Sequence, residues 1–360
     1  MADYRHPTCN SPPLPTPGLE KRGHSWPDVA RMKFALSAWL LWAGLLTAVA
    51  IGAPSRVTRF NIGGREYVRL EDWARSQGGQ ARWVVPKREV KVTLPSGTVT
   101  FTVDSSRVNL RGTCVYLCFP VALNGGNACI AALDLGTTLH PVLLPPRNAG
   151  GPKVQNIVLD PGHGGRDPGN QEGRRQEKLY TLTFAREVAE LLTKAGFKVS
   201  LTRNTDTYVD RPVRPELAHR RGADLFVSLH FNSADGVGAA GVQGAEVYCM
   251  TPPRASSTNA RGEGAGAGAY PGNRFDPKNM LLAYQIQKAI TDKAGSEDRG
   301  VKRARFEVLR LAEMPSVLIE AAFMTHGADA TRIYDPVQRR VLAQAIVDGI
   351  LAYKKIVERQ

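Results

Sequence analysis

Asn156-Ile157-Val158-Leu159-Asp160-Pro161-Gly162-His163-Gly164-Gly165-Arg166-Asp167-Pro168-Gly169 is the stretch from which the fold can be read. Its apolar start reads as a buried strand, and the strand breaks on Pro-Gly into a loop whose glycines let the backbone turn sharply and approach a ligand. Two further segments repeat the design. Ala223-Asp224-Leu225-Phe226-Val227-Ser228-Leu229 runs into His230, and Pro315-Ser316-Val317-Leu318-Ile319 runs into Glu320. Open α/β sheets place their ligand site at one end of the strands, so three strands ending in metal-competent or acid/base side chains suggest one shared centre.

Around these strands the pattern is that of an α/β layer. Leu179, Leu182, Ala185, Val188, Ala189 and Leu192 recur at helical spacing after Glu177, and Lys198-Val199-Ser200-Leu201-Thr202 reads as the next strand. The apolar period returns as helices over 278–294 and 337–357. Residues 252–276 are rich in Gly, Ala, Pro and Ser and are expected to form a mobile surface loop. This gives an α/β domain over 154–358, with a mixed sheet flanked by helices.

The region before it has another texture. Short alternating stretches over 56–145, such as Glu89-Val90-Lys91-Val92-Thr93-Leu94 and Val99-Thr100-Phe101-Thr102-Val103, are separated by Gly, Pro and Asn turns and read as hairpins. With a short helix near 69–79 they predict a small α+β module, joined through linker-like residues 146–153. Residues 1–31 are proline-rich and polar, a disordered leader or a mis-assigned start that makes Met32 the true beginning. Over 32–53 a basic flank precedes an uncharged apolar run ending in Ala48-Val49-Ala50, the three parts of a signal peptide. An uncleaved membrane anchor through 34–53 and a buried helix are the competing readings.

A formal charge of +14 over 360 residues favours an anionic partner. No zinc-finger, RNA-binding or basic-zipper pattern accompanies it, so the expected partner is an acidic envelope polymer and not nucleic acid. The five cysteines are spaced unlike a four-thiolate zinc site. After export, Cys114, Cys118, Cys129 and Cys249 have the option of pairing, in a connectivity that spacing does not define.

Two histidines and a glutamate form a ligand set for a catalytic metal with one open position, and a second glutamate can move the proton. His163, His230 and Glu177 are the candidates for the first role and Glu320 for the second. Each has a plainer reading: a strand-end histidine can be a surface hydrogen-bonder, and Glu177 can simply favour the positive end of its helix. Glu320 is harder to explain away, because an unpartnered charge at the end of an apolar strand costs several kcal/mol.

These residues carry a resemblance. The segment 160–169, Glu177-Lys178, Leu201-Thr202-Arg203-Asn204-Thr205-Asp206, the strand into His230-Phe231-Asn232, Gly300-Val301-Lys302 and Met314-Pro315-Ser316-Val317-Leu318-Ile319-Glu320 resemble the zinc-dependent N-acetylmuramoyl-L-alanine amidase family (Amidase_3), in order and over about 200 residues. The resemblance implies a hydrolase cutting the amide between N-acetylmuramic acid and L-alanine in peptidoglycan, exported to the periplasm or cell envelope. It also implies Zn2+ held by His163, Glu177 and His230, with Glu320 as general base. Asn232 and Arg214 become candidates for substrate binding, Asn232 reading equally as a turn former. The region 56–145 resembles the copper amine oxidase N-terminal-like domain found beside wall enzymes, which implies a packing or wall-contacting role.

The sequence departs from the family pattern at Asn170, where alanine is usual, at His219, and after Glu320 in Ala321-Ala322-Phe323-Met324-Thr325-His326. Some relatives insert a helix after the second histidine strand that plugs the site until a protein activator withdraws it; residues 250–277 have no helical period and imply no such plug. A peptide-cleaving zinc enzyme of the wall and a catalytically silent wall-binding protein share parts of the pattern, and the presence of Glu320 argues against the second.

Overall fold

The computed structural model describes residues 57–148, 153–258 and 268–359. The expected leader and the signal or anchor segment lie outside them. Among the described residues no helix is long and apolar enough to cross a membrane.

The described residues begin with β1 (Arg59–Ile62) and β2 (Arg65–Arg69), followed by α1 (Leu70–Ser76). Five antiparallel strands then run as a meander: β3 (Gln80–Val85), β4 (Glu89–Leu94), β5 (Gly97–Thr102), β6 (Arg107–Leu110) and β7 (Thr113–Tyr116). After β8 (Ala122–Asn124) and β9 (Asn127–Ala131) come α2 (Ala132–Asp134), a π-helical turn at Leu135–Leu139 and α3 (His140–Leu143). The alternation read from the sequence is seen in burial: Val90, Val92, Val99 and Phe101 point inward while Lys91 and Thr93 face solvent.

Past residue 153 the α/β pattern appears. β10 (Asn156–Pro161) is followed by a small hairpin, β11 (Gln171–Glu172) and β12 (Arg175–Gln176), then by α4 (Glu177–Lys194), β13 (Lys198–Leu201), α5 (Val213–Arg220) and β14 (Leu225–Asn232). The rest is β15 (Ala245–Met250), α6 (Asp276–Ala294), β16 (Asp298–Ala304), α7 (Glu307–Arg310), β17 (Ser316–Phe323), α8 (Gly327–Tyr334) and α9 (Pro336–Val357). β10 pairs parallel with β13 and β14, β14 parallel with β17, and β15 antiparallel with β17. This is the mixed sheet flanked by helices that the pattern implied. α4, α6 and α9 pack on one face through Phe184, Val188, Ile286 and Ile346, while α5 and α7 cover Phe226 and Leu318 on the other. Leu179, read as part of the apolar stripe of α4, is 45% exposed at the first turn.

Two sequence expectations meet a different structure. The Gly-rich stretch 252–276, read as a mobile loop, is held to the body on both sides of the undescribed residues 259–267. Ala255 and Ser257 are buried, Thr251 Oγ1 bonds Ser257 Oγ at 2.8 Å, and Pro271–Phe275 forms a 3-10 turn in which the backbone at Gly272 packs on Leu309. Composition reports backbone freedom, but it does not register the polar and apolar anchors that remove it.

The second difference is at the junction of the two regions. Residues 149–152 of the linker stretch lie outside the described residues, yet the sheets of the two regions are one: β7 pairs with β16 through Val115 and Val301, making a single eleven-stranded sheet. Asp298 closes the seam, accepting from Cys114 N at 2.7 Å and from Gln287 Nε2 at 2.8 Å. Tyr284 OH reaches Leu110 O, and buried Arg303 donates to Thr137 O and Thr138 Oγ1. Linker composition marks where the chain runs over the surface, and says nothing about whether two sheet edges meet elsewhere. Cys114, Cys118, Cys129 and Cys249 are free thiols, so none of the described cysteines is paired.

Gly300 sits in this seam at φ +91°, and a Cβ there would stand 2.8 Å from Cys114 Sγ and 3.0 Å from Cys114 O. Gly300→Ala should therefore lower stability by about 1–3 kcal/mol through overpacking and backbone strain, read as a shift of the urea midpoint at unchanged slope.

Candidate metal centre

The site is built on the turn after β10. Asp160 is buried at the end of that strand and accepts from Thr202 Oγ1 at 2.6 Å and Ser228 Oγ at 2.8 Å, the latter on neighbouring β14. Arg214, from α5, pairs with Asp160 at 2.9 Å and donates to the carbonyls of Pro161, His163 and Val209. Arg203 closes from the other side onto the carbonyls of Pro161, Gly162 and Lys178. Burial, and then the positive charge of Arg214, lower the pKa of Arg203 to about 10. Between these clamps His163 takes φ +61°, a left-handed conformation uncommon for a residue with a Cβ.

That conformation turns the imidazole toward Glu177, the first residue of α4, where the helix terminus favours a carboxylate. His163 Nε2 lies 3.0 Å from Glu177 Oε2, and His230 Nδ1 lies 3.0 Å from Glu177 Oε1. Asp167 holds the other nitrogen of His163 at 2.9 Å, fixing the ring with Nε2 facing the site. Backbone N–H groups of Asn170 and Phe231 donate to the two oxygens of Glu177. Asn170, a departure from the family pattern, also donates its side-chain amide to Phe231 O at 2.8 Å and ties the loop to β14.

One donor atom each from His163, Glu177 and His230 lies within 4.8 Å of the others. Two imidazoles and one carboxylate, drawn together with room for a further ligand, fit a catalytic metal ion. Burial alone would raise the pKa of Glu177, but hydrogen bonds and charge from His163 and His230 hold it well below the usual carboxylate range. Burial opposes protonation of His163, and the hydrogen bonds and charges of Glu177 and Asp167 outweigh it and raise its pKa.

Glu320 is opposite His230 in the register of β14 and β17 and lines the same cleft, of about 690 Å³. One of its oxygens, Oε2, is buried with no hydrogen-bond partner. Burial, then the charges of Glu177 and Glu246, push its pKa well above the ordinary value, with Lys302 acting against them. Glu246 is Glu320's neighbour on β15 and binds Lys302, Arg299 and Tyr248.

The two candidates for substrate binding are engaged by other groups of the chain. Arg214 borders the cleft, but it is buried with its guanidinium engaged by Asp160 and three carbonyls, an arrangement that holds the loop and leaves little for a substrate. Asn232 does not line the cleft, and its amide donates to Glu246 Oε1 at 3.1 Å. Sequence reading passed over Asp160, Arg203, Asp167 and Glu246. Asp160 had a signal of the same kind as Glu320, a carboxylate inside an apolar strand that needs a buried partner. Exposed Arg166, stacked on Tyr208, and Arg211 stand at the rim.

Two outcomes follow from the packing. A Cβ on Gly162 would stand 2.3 to 2.6 Å from three atoms of the His230 ring. Gly162→Ala should displace that ring and weaken metal retention roughly 10–100-fold, measured as metal content after dialysis against a competing chelator. Asp160→Ala leaves the Arg214 charge buried alone and should cost about 3–5 kcal/mol in urea unfolding.

The N-acetylmuramoyl-L-alanine amidase family model (Amidase_3) matches residues 157–352. An N-acetylmuramoyl-L-alanine amidase of Bacillus subtilis, LytC, is 34% identical over 199 residues, covering 55% of this chain and 35% of its own length. AmiA of Escherichia coli is 32% identical over 258 residues, covering 65% of this chain and 87% of its own. The chain thus spans about a third of the first relative and most of the second. A solved amidase of Clostridium difficile superposes with a TM-score of 0.47 at 30% identity, covering 56% of this chain and 97% of that one. With a family model matched over more than half its length, the chain belongs to the N-acetylmuramoyl-L-alanine amidase family.

Proposed function

We propose that the protein hydrolyses the amide between the lactyl group of N-acetylmuramic acid and L-alanine in peptidoglycan, as an enzyme exported to the cell envelope. The observation that carries this reading is the meeting, in one cleft, of the His163, Glu177 and His230 donors with the unpartnered carboxyl oxygen of Glu320. Two nitrogens and one oxygen suit zinc, which when bound supplies Lewis acidity to the scissile carbonyl and its attacking water.

The chain's own groups do the rest. Asp167 keeps His163 in one tautomer, and Glu177 holds both imidazoles with its two oxygens. Glu320 accepts the proton of the water and passes it to the leaving alanine amine, so that the amine departs neutral. A carboxyl whose surroundings raise its proton affinity suits both halves of that transfer. Arg166 and Arg211 at the rim, and the net charge of +14, suit the carboxylates of a stem peptide.

Mass spectrometry of purified peptidoglycan treated with the full chain tests this. Whole stem peptides should leave the glycan, and chelation should stop their release. Glu320→Gln should lower the rate by roughly 10²–10⁴ while the bound metal is retained. Trimmed peptides still attached to glycan would show a peptidase instead.

A further inference from the structure

The sheet does not stop at the metal centre. From β17 it runs through β15 and β16 into β7, then through β6, β5 and β4 to the edge strand β3. The registers keep one set of side chains on one face. His230 stands opposite Glu320, and Glu320 opposite Glu246. Tyr248 is opposite Lys302, which by the Val301–Val115 pairing lies beside Tyr116, and Tyr116 is opposite Arg107. Lys302 Nζ bridges the seam, 5.9 Å from the Tyr248 ring and 5.8 Å from that of Tyr116. The face that carries the metal centre therefore continues as the outer, polar face of β4 to β7.

On that continuation Lys91, Thr100 and Asn109 form one cross-strand row, and Arg82 stands directly opposite Lys91. Like charges in directly opposed positions destabilise a sheet. Arg82 donates to Gln80 Oε1, Arg107 to Cys114 Sγ, and among the described residues neither they nor Lys91 forms an ion pair. The strands thus keep a cationic row without ion-pair partners on the exposed part of the sheet face that carries the metal centre, with the buried Glu246, Tyr248 and Lys302 between row and cleft.

We infer that the outer face of β3 to β7 is a second binding surface for the same peptidoglycan strand, with stem-peptide carboxylates on Arg82, Lys91 and Arg107 and sugar hydroxyls on Thr100 and Asn109. The inference rests on the amidase reading for the identity of the polymer. Six strand spacings separate β17 from β4, roughly 29 Å, so a polymer reaches both places and a single muramoyl peptide does not.

Arg82→Gln combined with Lys91→Gln, both exposed positions, tests the surface in the full chain, with an unchanged melting temperature as the folding control. The half-saturating amount of purified insoluble peptidoglycan should rise roughly five-fold for the loss of two exposed charge contacts. Turnover of a small soluble muramoyl peptide should not change, and the salt dependence of wall binding should become shallower. No change on insoluble peptidoglycan, or an equal loss on the small substrate, overturns the inference. So does a loss confined to walls that retain phosphate-rich secondary polymers. Co-sedimentation of Glu320→Gln with purified peptidoglycan, with and without the two substitutions, reads the surface even if no bond is cut, so failure of the binding surface and failure of the amidase activity give different results.

Discussion

The buried ion pair between Asp160 and Arg214 is the constraint on which the site depends. Asp160 lies near the end of β10, second from one edge of the sheet, and its carboxylate is partnered by Arg214, Thr202 and Ser228. Arg214 and Arg203 then hold the carbonyls of residues 161–163, so the backbone that follows has one path. A left-handed His163 is the consequence. Its unfavourable backbone is stable only because two buried guanidiniums and one carboxylate over-determine the turn.

From that turn the charge balance of the centre follows. A single buried carboxylate, Glu177, lies between two imidazoles, and its negative charge is answered by them and by two backbone N–H groups. Glycines make the approach feasible. Gly169, at φ +67°, leaves room where a Cβ would stand 2.6 Å from both Glu177 and His163. Glu320 has the opposite environment, with a buried oxygen lacking a donor and two other carboxylates nearby. Two glutamates lining one cleft are thereby driven in opposite directions, one toward ionisation and one toward holding a proton, the separation expected of a ligand and an acid/base group.

Behind Glu320, the buried Glu246 with Lys302 and Arg299 links the catalytic strands to the first region of the chain. Lys302 also faces Tyr116 across the β16–β7 seam. The same strands that complete the floor of the centre therefore anchor the meander, and Asp298, Gln287 and Tyr284 secure that anchor through side chains on α6 and β16. The seam makes the meander and the strands of the centre parts of one sheet.

The sequence by itself determined the α/β class, the glycine turn that carries His163, the strands that carry His230 and Glu320, the helix-opening position of Glu177, and the family. These are local properties: apolar runs, helical periods and glycine turns are written in neighbouring residues. Buried charges in apolar strands were legible in the same way, and Asp160 was as visible as Glu320. The two strands run on past His230 to Asn232 and past Glu320 to Phe323, so these residues stand within strands and not at their ends. What only the tertiary structure decided are relations between distant residues. Arg214 clamps a loop more than fifty positions away, Asn232 turns to Glu246, Arg203 shares a carbonyl with Arg214, and β7 completes the sheet at β16. An arginine or asparagine has the same composition whether its donors face a substrate or a carbonyl, and an edge strand reads the same whether open or paired. Three-dimensional packing chooses among these, because buried donors, acceptors and sheet edges must find partners wherever the fold brings them.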